Sequence, residues 1–332
     1  MASSGFVLLD KIAGETSFKA LFPLKRVFCT KRVGHAGTLD LRASGLIIAA
    51  TGRATRLLPY VEAKDKCYTF RLHLGYETDT LEWDGEVVHA DERVETRDER
   101  GEVECHSEGV ILSEAERSRR IQCGAPSVTR EDLERVLPQF IGDIDQIPPK
   151  YCAVKIDGRR ASDWMERGKQ IELKPRRIHI SSLKVVGEGL ETEGASGKSF
   201  ATFDLECNCS KGTYIRALGR DIARTLGTCG CVSMIRRHRI GNVTVDRAVR
   251  GDALTPEHLL PVDQVLDFPV VRLTLEQVAA IRQGKWLPWK EPVEVVDAEG
   301  LVFVENETGE VLALCHYEPG RIMPKFYLGE DE

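Results

Sequence analysis

Residues 67–74, CYTFRLHL, alternate without a break. Tyr68, Phe70, Leu72 and Leu74 share one side, and Cys67, Thr69, Arg71 and His73 the other. A period of two is a strand's signature, with one face toward a core. Such a strand needs paired neighbours. Candidates are the apolar runs at 6–9 (FVLL) and 46–50, and the stretches 178–186 and 200–207, with a further strand after the double proline at 148–149. Helices are expected from a cap at Thr16 or Ser17 to about Phe28, over 53–61, and from Thr129 to Phe140. One more, 213–226, is amphipathic, with Ile215, Leu218, Ile222 and Leu226 inward and Gly227 as its stop. Residues 30–44 read as a basic, glycine-bearing loop. Strands and helices mix without a regular βαβ beat, which favours an α+β fold over a doubly wound sheet.

At 332 residues the chain is long enough for two domains of roughly 150 residues each. Residues 256–268 look like a boundary. Beyond them come one helix (275–283) and short strands with turns at 298–300 and 307–309, a small β-rich module. Residues 88–127 are polar, glycine-spotted and aperiodic, and read as a surface insertion. No apolar run approaches the roughly 18 residues of a membrane span, and the start has no basic leader, so the cytoplasm is the expected location. The ten cysteines form no C-x-x-C. The pairs Cys207/Cys209 and Cys229/Cys231 lack the spacing of a closed zinc site, so free thiols and no metal are expected.

The formal net charge of −6 argues against a nucleic-acid partner until it is divided along the chain. Residues 88–118 hold ten acids and four bases, which accounts for the whole −6. Residues 19–56 carry eight bases and one acid, and 211–250 nine and two, so each segment is +7. Two such segments are either solvated faces or two walls of one polyanion site.

The single acid of the first segment is Asp40, at the end of GHAGTLD. Two glycines let that loop turn tightly and approach a ligand. A carboxylate among eight bases stays ionised, which suits a nucleophile that needs no activating base; a cap for the turn at 41–43 fits equally. His35 is either an RNA contact or a plain loop histidine, since no third ligand lies near for a metal. In the second segment, SKGTYIR leads into a helix whose Arg216, Arg220 and Arg224 form one stripe. Arg216 sits in the first turn, where the dipole disfavours a cation, so it either serves a specific anion or belongs to a solvated stripe. Tyr68 is a core residue or a plate for a flipped base.

GFVLLDKIAGETS, KRVGHAGTLDLRASGLIIAATGRATRL, DKCYTFRLHLGYETDT, IPPKYCAVKIDGRRA and CSKGTYIRALGRDIA, in this order, resemble the TruB family of tRNA pseudouridine synthases. The resemblance spans roughly residues 5–245 and continues more weakly as a PUA-like RNA-binding module over 268–332. It implies a catalytic domain over 1–260, built on a mixed, largely antiparallel central sheet flanked by helices. An acidic insertion falls at about 88–127, and an arm that grips the T loop at about 150–177. It implies isomerisation of uridine 55 in the T loop of tRNA by base flipping, with no cofactor, no membrane and no obligate protein partner, in a monomer. By the same resemblance Asp40 matches the nucleophile, Arg216 the arginine that pairs with it, and Tyr68 the tyrosine that stacks on the base. His35 matches an RNA contact, Tyr214 and Ile235 match residues lining the uridine pocket, and Lys11 matches the lysine of the first motif.

Three departures stand out. Leu41 and Ile12 occupy positions where the family commonly has proline, and Glu82 stands where it usually has Asp. None removes a reacting group. Guide-RNA pseudouridylation subunits share the nucleophile region but lack the stretch corresponding to 158–177, which this chain has. An RNA chaperone or a carboxylate hydrolase using Glu82 or Asp84 are the other readings weighed. The acidic segment, which would repel phosphate, is expected away from the RNA surface.

Overall fold

The strand Lys66–Leu74 organises one half of the protein. The computed structural model describes residues 4–91, 128–152, 154–156, 158–165, 167–169, 171–193, 198–294 and 298–329. Most of the acidic segment, with Cys105 and Cys123, lies outside the described residues. The chain divides into two units, Met1–Lys64 with Arg239–Glu332, and Asp65–His238. The fold class is α+β, with largely antiparallel ladders and short helices.

In the second unit Lys66–Leu74 pairs antiparallel with Lys198–Cys209, placing Tyr68 opposite Cys207. Lys198–Cys209 pairs in turn with Arg176–Glu193, and that strand with Gly142–Gln146. The alternation read from the sequence is realised, for Tyr68, Phe70, Leu72 and Leu74 are all buried. The helix Ile215–Thr225 packs close on this sheet because of one glycine. A Cβ at Gly219 would lie 2.3 Å from Val232 Cγ1 and 3.4 Å from Leu72 Cδ1. Glycine inside a helix costs about 1 kcal/mol against alanine, and here it is what lets the helix approach. The helix expected from Thr213 starts later, at Ile215. Thr213 Oγ1 donates to Ser210 O at 3.0 Å, and Tyr214 is the capping residue without a side-chain bond. The cap at Thr129 is realised as a full capping box with Asp132.

In the first unit Gly5–Lys11 runs antiparallel to Ser44–Thr51, with Phe6 opposite Ala50 and Leu8 opposite Ile48. The expected loop 30–44 contains a strand, Val33–Ala36, paired to the same Ser44–Thr51. Gly34 permits this, since a Cβ there would meet Leu58 Cδ1 at 2.7 Å. The helix expected from Thr16 to Phe28 is shorter, a 3-10 turn Lys19–Leu21 followed by Phe22–Val27, ending where Cys29 takes a φ of +48°. Ser17 is drawn inward instead of capping it.

The C-terminal sheet has the order Val270–Arg272, Leu301–Glu305, Val311–Glu318, Gly320–Tyr327, Leu287–Trp289. Its first pair is parallel and the rest antiparallel. One face forms its own core from Val302, Val304, Ala313, Cys315 and Ile322. The other, through Leu301, Phe303, Leu314 and Leu328, shares a core with Phe6, Leu8, Leu46 and Ile48. Among the described residues no helix is long and apolar enough to cross a membrane.

Six of the eight described cysteines are buried, with Cys229 partly exposed and Cys29 exposed. Burial pushes the Cys231 and Cys315 thiols up to about 12. At pH 8 only about one molecule in 10⁴ would then carry either thiolate, the reactive form. Native-state alkylation read by peptide mass spectrometry should therefore modify Cys29 first and leave Cys231 and Cys315 untouched until denaturant is added. Equal native rates at Cys29 and Cys315 would show that this burial is not maintained in solution.

Candidate active site

In the first unit the loop carrying Asp40 is fastened on both sides. Leaving the strand Val33–Ala36, which holds His35 opposite Ala49, the chain turns at Gly37 with a φ of +73°. The buried hydroxyl of Ser17 then accepts from Leu39 N at 2.9 Å and donates to Leu39 O at 3.1 Å. Past Asp40, Ala43 N donates to Asp40 O at 3.1 Å and Gly14 N to Leu41 O at 2.8 Å. Lys11 completes the frame. It is 1% exposed, and its ammonium donates to Ala43 O at 2.5 Å, Ile12 O at 3.0 Å and Leu41 O at 3.3 Å. A lysine is almost never buried unless its charge is met, and three carbonyl dipoles meet this one. Asp40 itself is half-buried on this fixed turn.

In the second unit Tyr68 is buried on the sheet face it shares with Cys207. The Cys207 thiol is pushed up by its hydrogen bond to Cys209 and by burial, so it stays neutral beside the ring. Arg216 and Arg220 are buried, not solvated. Arg216 donates from Nη1 to Thr80 O and from Nη2 to Tyr151 O, both at 2.8 Å, and its Nε lies 3.6 Å from Glu82 Oε1. Arg220 Nη2 donates to Ile147 O at 2.9 Å. Arg224, the exposed end of the stripe, pairs with Glu77 at 3.0 Å. Ile235 is buried on Gly230–Ile240 beside the exposed Met234, whose φ is +52°.

Three contributors escaped sequence reading. Gln146 is buried, and its side-chain amide accepts from Tyr214 N at 2.9 Å and donates to Tyr214 O at 3.1 Å. That clamp fixes Tyr214, two residues before Arg216, and no local pattern announces it. Leu81 holds a φ of +62°, a strained conformation for leucine, costing of the order of 1–3 kcal/mol. The turn is over-determined: Val232 N donates to Leu81 O at 3.0 Å, and Thr78 Oγ1 to Glu82 O at 2.6 Å. It presents Thr80 O and Glu82 to the guanidinium. Glu82 is singled out by the sequence, but its pairing with Arg216 is not. The third is Ser17, read as a cap and found clamping Leu39.

Asp40, His35 and Lys11 thus belong to one unit, and Tyr68, Tyr214, Arg216 and Ile235 to the other. Among the described residues no cluster of His, Cys, Asp and Glu is placed to hold a metal ion.

Residues 25–111 and 109–215 match the family model described as "TruB family pseudouridylate synthase (N terminal domain)". The chain is 34% identical to the tRNA pseudouridine synthase B of Caulobacter sp. (strain K31), over 97% of this chain and 95% of that protein. It is 31% identical to that of Borrelia garinii subsp. bavariensis, over 94% of each. Among solved structures, a chain from "Structure of H/ACA RNP bound to a substrate RNA containing 2'-deoxyuridine" superposes with a TM-score of 0.62 at 18% identity, covering 98% of this chain and 85% of that one. A chain from the "Crystal Structure of a Cbf5-Nop10-Gar1 Complex" gives 0.61 at 20%, covering 98% and 85%. At those identities the likeness is one of fold.

The frame around Asp40 makes a specific demand on Lys11. Lys11→Met keeps the length of the side chain but takes this donor from the carbonyls of Ala43 and Ile12, while Leu41 O keeps Gly14 N, at about 1–3 kcal/mol each where water cannot replace it. We expect a loss of about 2–4 kcal/mol in urea unfolding, with Lys11→Arg not restoring it because the fork does not fit three converging carbonyls. A loss under about 0.5 kcal/mol for Lys11→Met, the range of an ordinary surface change, would show that the ammonium does not hold the turn.

Proposed function

The chain belongs to the TruB family of pseudouridylate synthases, and on that premise we propose that it converts uridine 55 in the T loop of tRNA to pseudouridine, with Asp40 as nucleophile. The observation that carries the assignment is the rigid seat of Asp40. A carboxylate on a turn fastened at Leu39, Leu41, Ala43 and Ile12 keeps one direction of attack, the condition under which positioning lowers a barrier.

The uridine leaves its stack, at a cost of a few kcal/mol. Tyr68 stacks on the base, Tyr214 and Ile235 line its pocket, and His35 contacts the RNA. Asp40 attacks either C1′ of the ribose or C6 of the base. The bond from N1 to C1′ breaks, the base turns, a bond from C5 to C1′ forms, and the bond to Asp40 breaks to return the free carboxylate. The proton at C5 is lost and one is gained at N1, so the product is an isomer and the reaction consumes no cofactor. Lys11 acts as a positioning residue rather than by touching RNA. The stretch 158–177 favours a stand-alone monomeric enzyme of the cytoplasm over a subunit of a guide-RNA complex. Residues 1–260 carry the chemistry and 268–332 add RNA contacts.

Incubating the purified protein with unmodified tRNA and mapping pseudouridine chemically tests the reading, and absence of the product at position 55 would overturn it. Asp40→Asn should abolish turnover and leave tRNA affinity within a few-fold, because its role is chemical. Residual activity above a few per cent would remove it as nucleophile. Arg216→Lys keeps the charge but loses the fork that binds two carbonyls, so turnover should fall steeply with little change in affinity.

Salt dependence should locate the C-terminal contacts. Arg321 and Lys325 are already paired with Glu318 and Glu299, while Lys285 and Lys290 are exposed. Removing both of the latter should flatten the plot of log affinity against log salt by about 1.8, at roughly 0.9 per duplex phosphate contact. An unchanged slope would place the RNA elsewhere.

A further inference from the structure

The segment from Phe18 through the 3-10 turn Lys19–Leu21 and the helix Phe22–Val27, beside the Asp40 turn, carries two aromatic rings that the core does not use. Its inner stripe, Ala20, Leu21 and Leu24, is buried, whereas Phe18 is 61% and Phe22 49% exposed. The two rings meet edge to face, with centroids 5.4 Å apart and planes at 81°. The ammonium of Lys25 lies 5.0 Å from the first centroid and 5.2 Å from the second. Ile12 and Leu41, the two departures from the family's prolines, are likewise exposed, and their carbonyls converge on the Lys11 ammonium.

This apolar surface is held in place relative to Asp40. Ser17, the neighbour of Phe18, makes both backbone bonds to Leu39, the neighbour of Asp40. Ala20 N donates to Thr16 O at 3.1 Å and Lys19 N to Thr16 Oγ1 at 3.1 Å, closing the turn under Phe18. The rings therefore stand on the same frame as the nucleophile.

The charge around them selects the occupant. From Phe18 to Arg32 the chain holds five bases, Lys19, Lys25, Arg26, Lys31 and Arg32, and no acid. Exposed aromatic faces among cations match an unpaired nucleotide, whose base stacks on a ring while its phosphate meets an ammonium. An apolar protein partner would have to cover those five charges. We propose that Phe18 and Phe22, with Lys25, form a stacking ledge for an unpaired RNA nucleotide close in sequence to the uridine that reaches Asp40. The proposal rests on the functional reading above for the identity of that uridine. The ledge gives the enzyme a second purchase on the loop and adds to the specificity for an unpaired neighbour.

The test compares full-length wild type with Phe18→Ala and Phe18→Ala/Phe22→Ala, using a T-arm stem-loop and a set in which each unpaired nucleotide in turn is made abasic. Both rings are exposed, so thermal unfolding should match wild type. We expect Kd and KM for the intact stem-loop to rise about tenfold in the double variant, equivalent to about 1.4 kcal/mol, with the loss in KM rather than kcat. Phe18→Tyr/Phe22→Tyr, which keeps the rings, should restore affinity. One abasic position should cost wild type the same tenfold and cost the double variant nothing further. Wild-type affinity in the double variant, or abasic losses identical in the two proteins at every position, would overturn the ledge. So would a change of oligomeric state in sedimentation, which would assign the rings to a protein surface. Failure of the wild type to form pseudouridine would instead sink the functional reading, and the abasic binding comparison would still decide the ledge.

Discussion

A buried ammonium holds the Asp40 turn together. Lys11 leaves the end of its strand inside the protein, where an unmet charge would cost several kcal/mol. It is tolerated because the carbonyls of Ile12, Leu41 and Ala43 converge on it. The converse matters more for function. Leu41 and Ala43 follow Asp40 in its turn and Ile12 follows the strand's end, so Lys11 ties the turn to the strand where no ladder does. With Ser17 gripping Leu39, the turn has fixed points before and after Asp40. The Asp40 side chain thus stands on a backbone with little freedom, held by Lys11 and Ser17.

The other unit solves the same problem for a cation. Arg216 lies at a helix N-terminus, where the backbone dipole disfavours it. Two carbonyls, Thr80 O and Tyr151 O, and the Glu82 carboxylate nearby offset that disadvantage. Their surroundings are held further away: the turn at Leu81 by Val232, the start of the helix at Tyr214 by Gln146, and the helix itself by the close approach at Gly219. Strain at Leu81 persists because several bonds over-determine it, as is common near functional groups.

The C-terminal sheet joins this economy through a shared core. Leu301, Phe303, Leu314 and Leu328 bury themselves with residues of the first two paired strands. The module that the composition marks off after residue 268 is therefore packed against the segment that carries Lys11, and its opposite face has a core of its own.

Much was legible along the chain because the signals are local. The alternation at 67–74, the capping box at Thr129 and the stop at Gly227 depend on neighbours within a few residues, and all three formed. The motif order likewise pointed to the family that the comparisons show. What stayed hidden depends on groups far apart in sequence. Ser17 reads as a cap until Leu39 is beside it, and Val33–Ala36 reads as loop until Ser44–Thr51 pairs with it. Arg216 reads as serving an anion or as one of a solvated stripe until two distant carbonyls take its guanidinium. Sequence by itself determined the elements whose signals are local and the family the chain belongs to. Only tertiary structure decided what holds them, because a hydrogen bond spanning 22 or 136 residues leaves no periodicity for the chain to display.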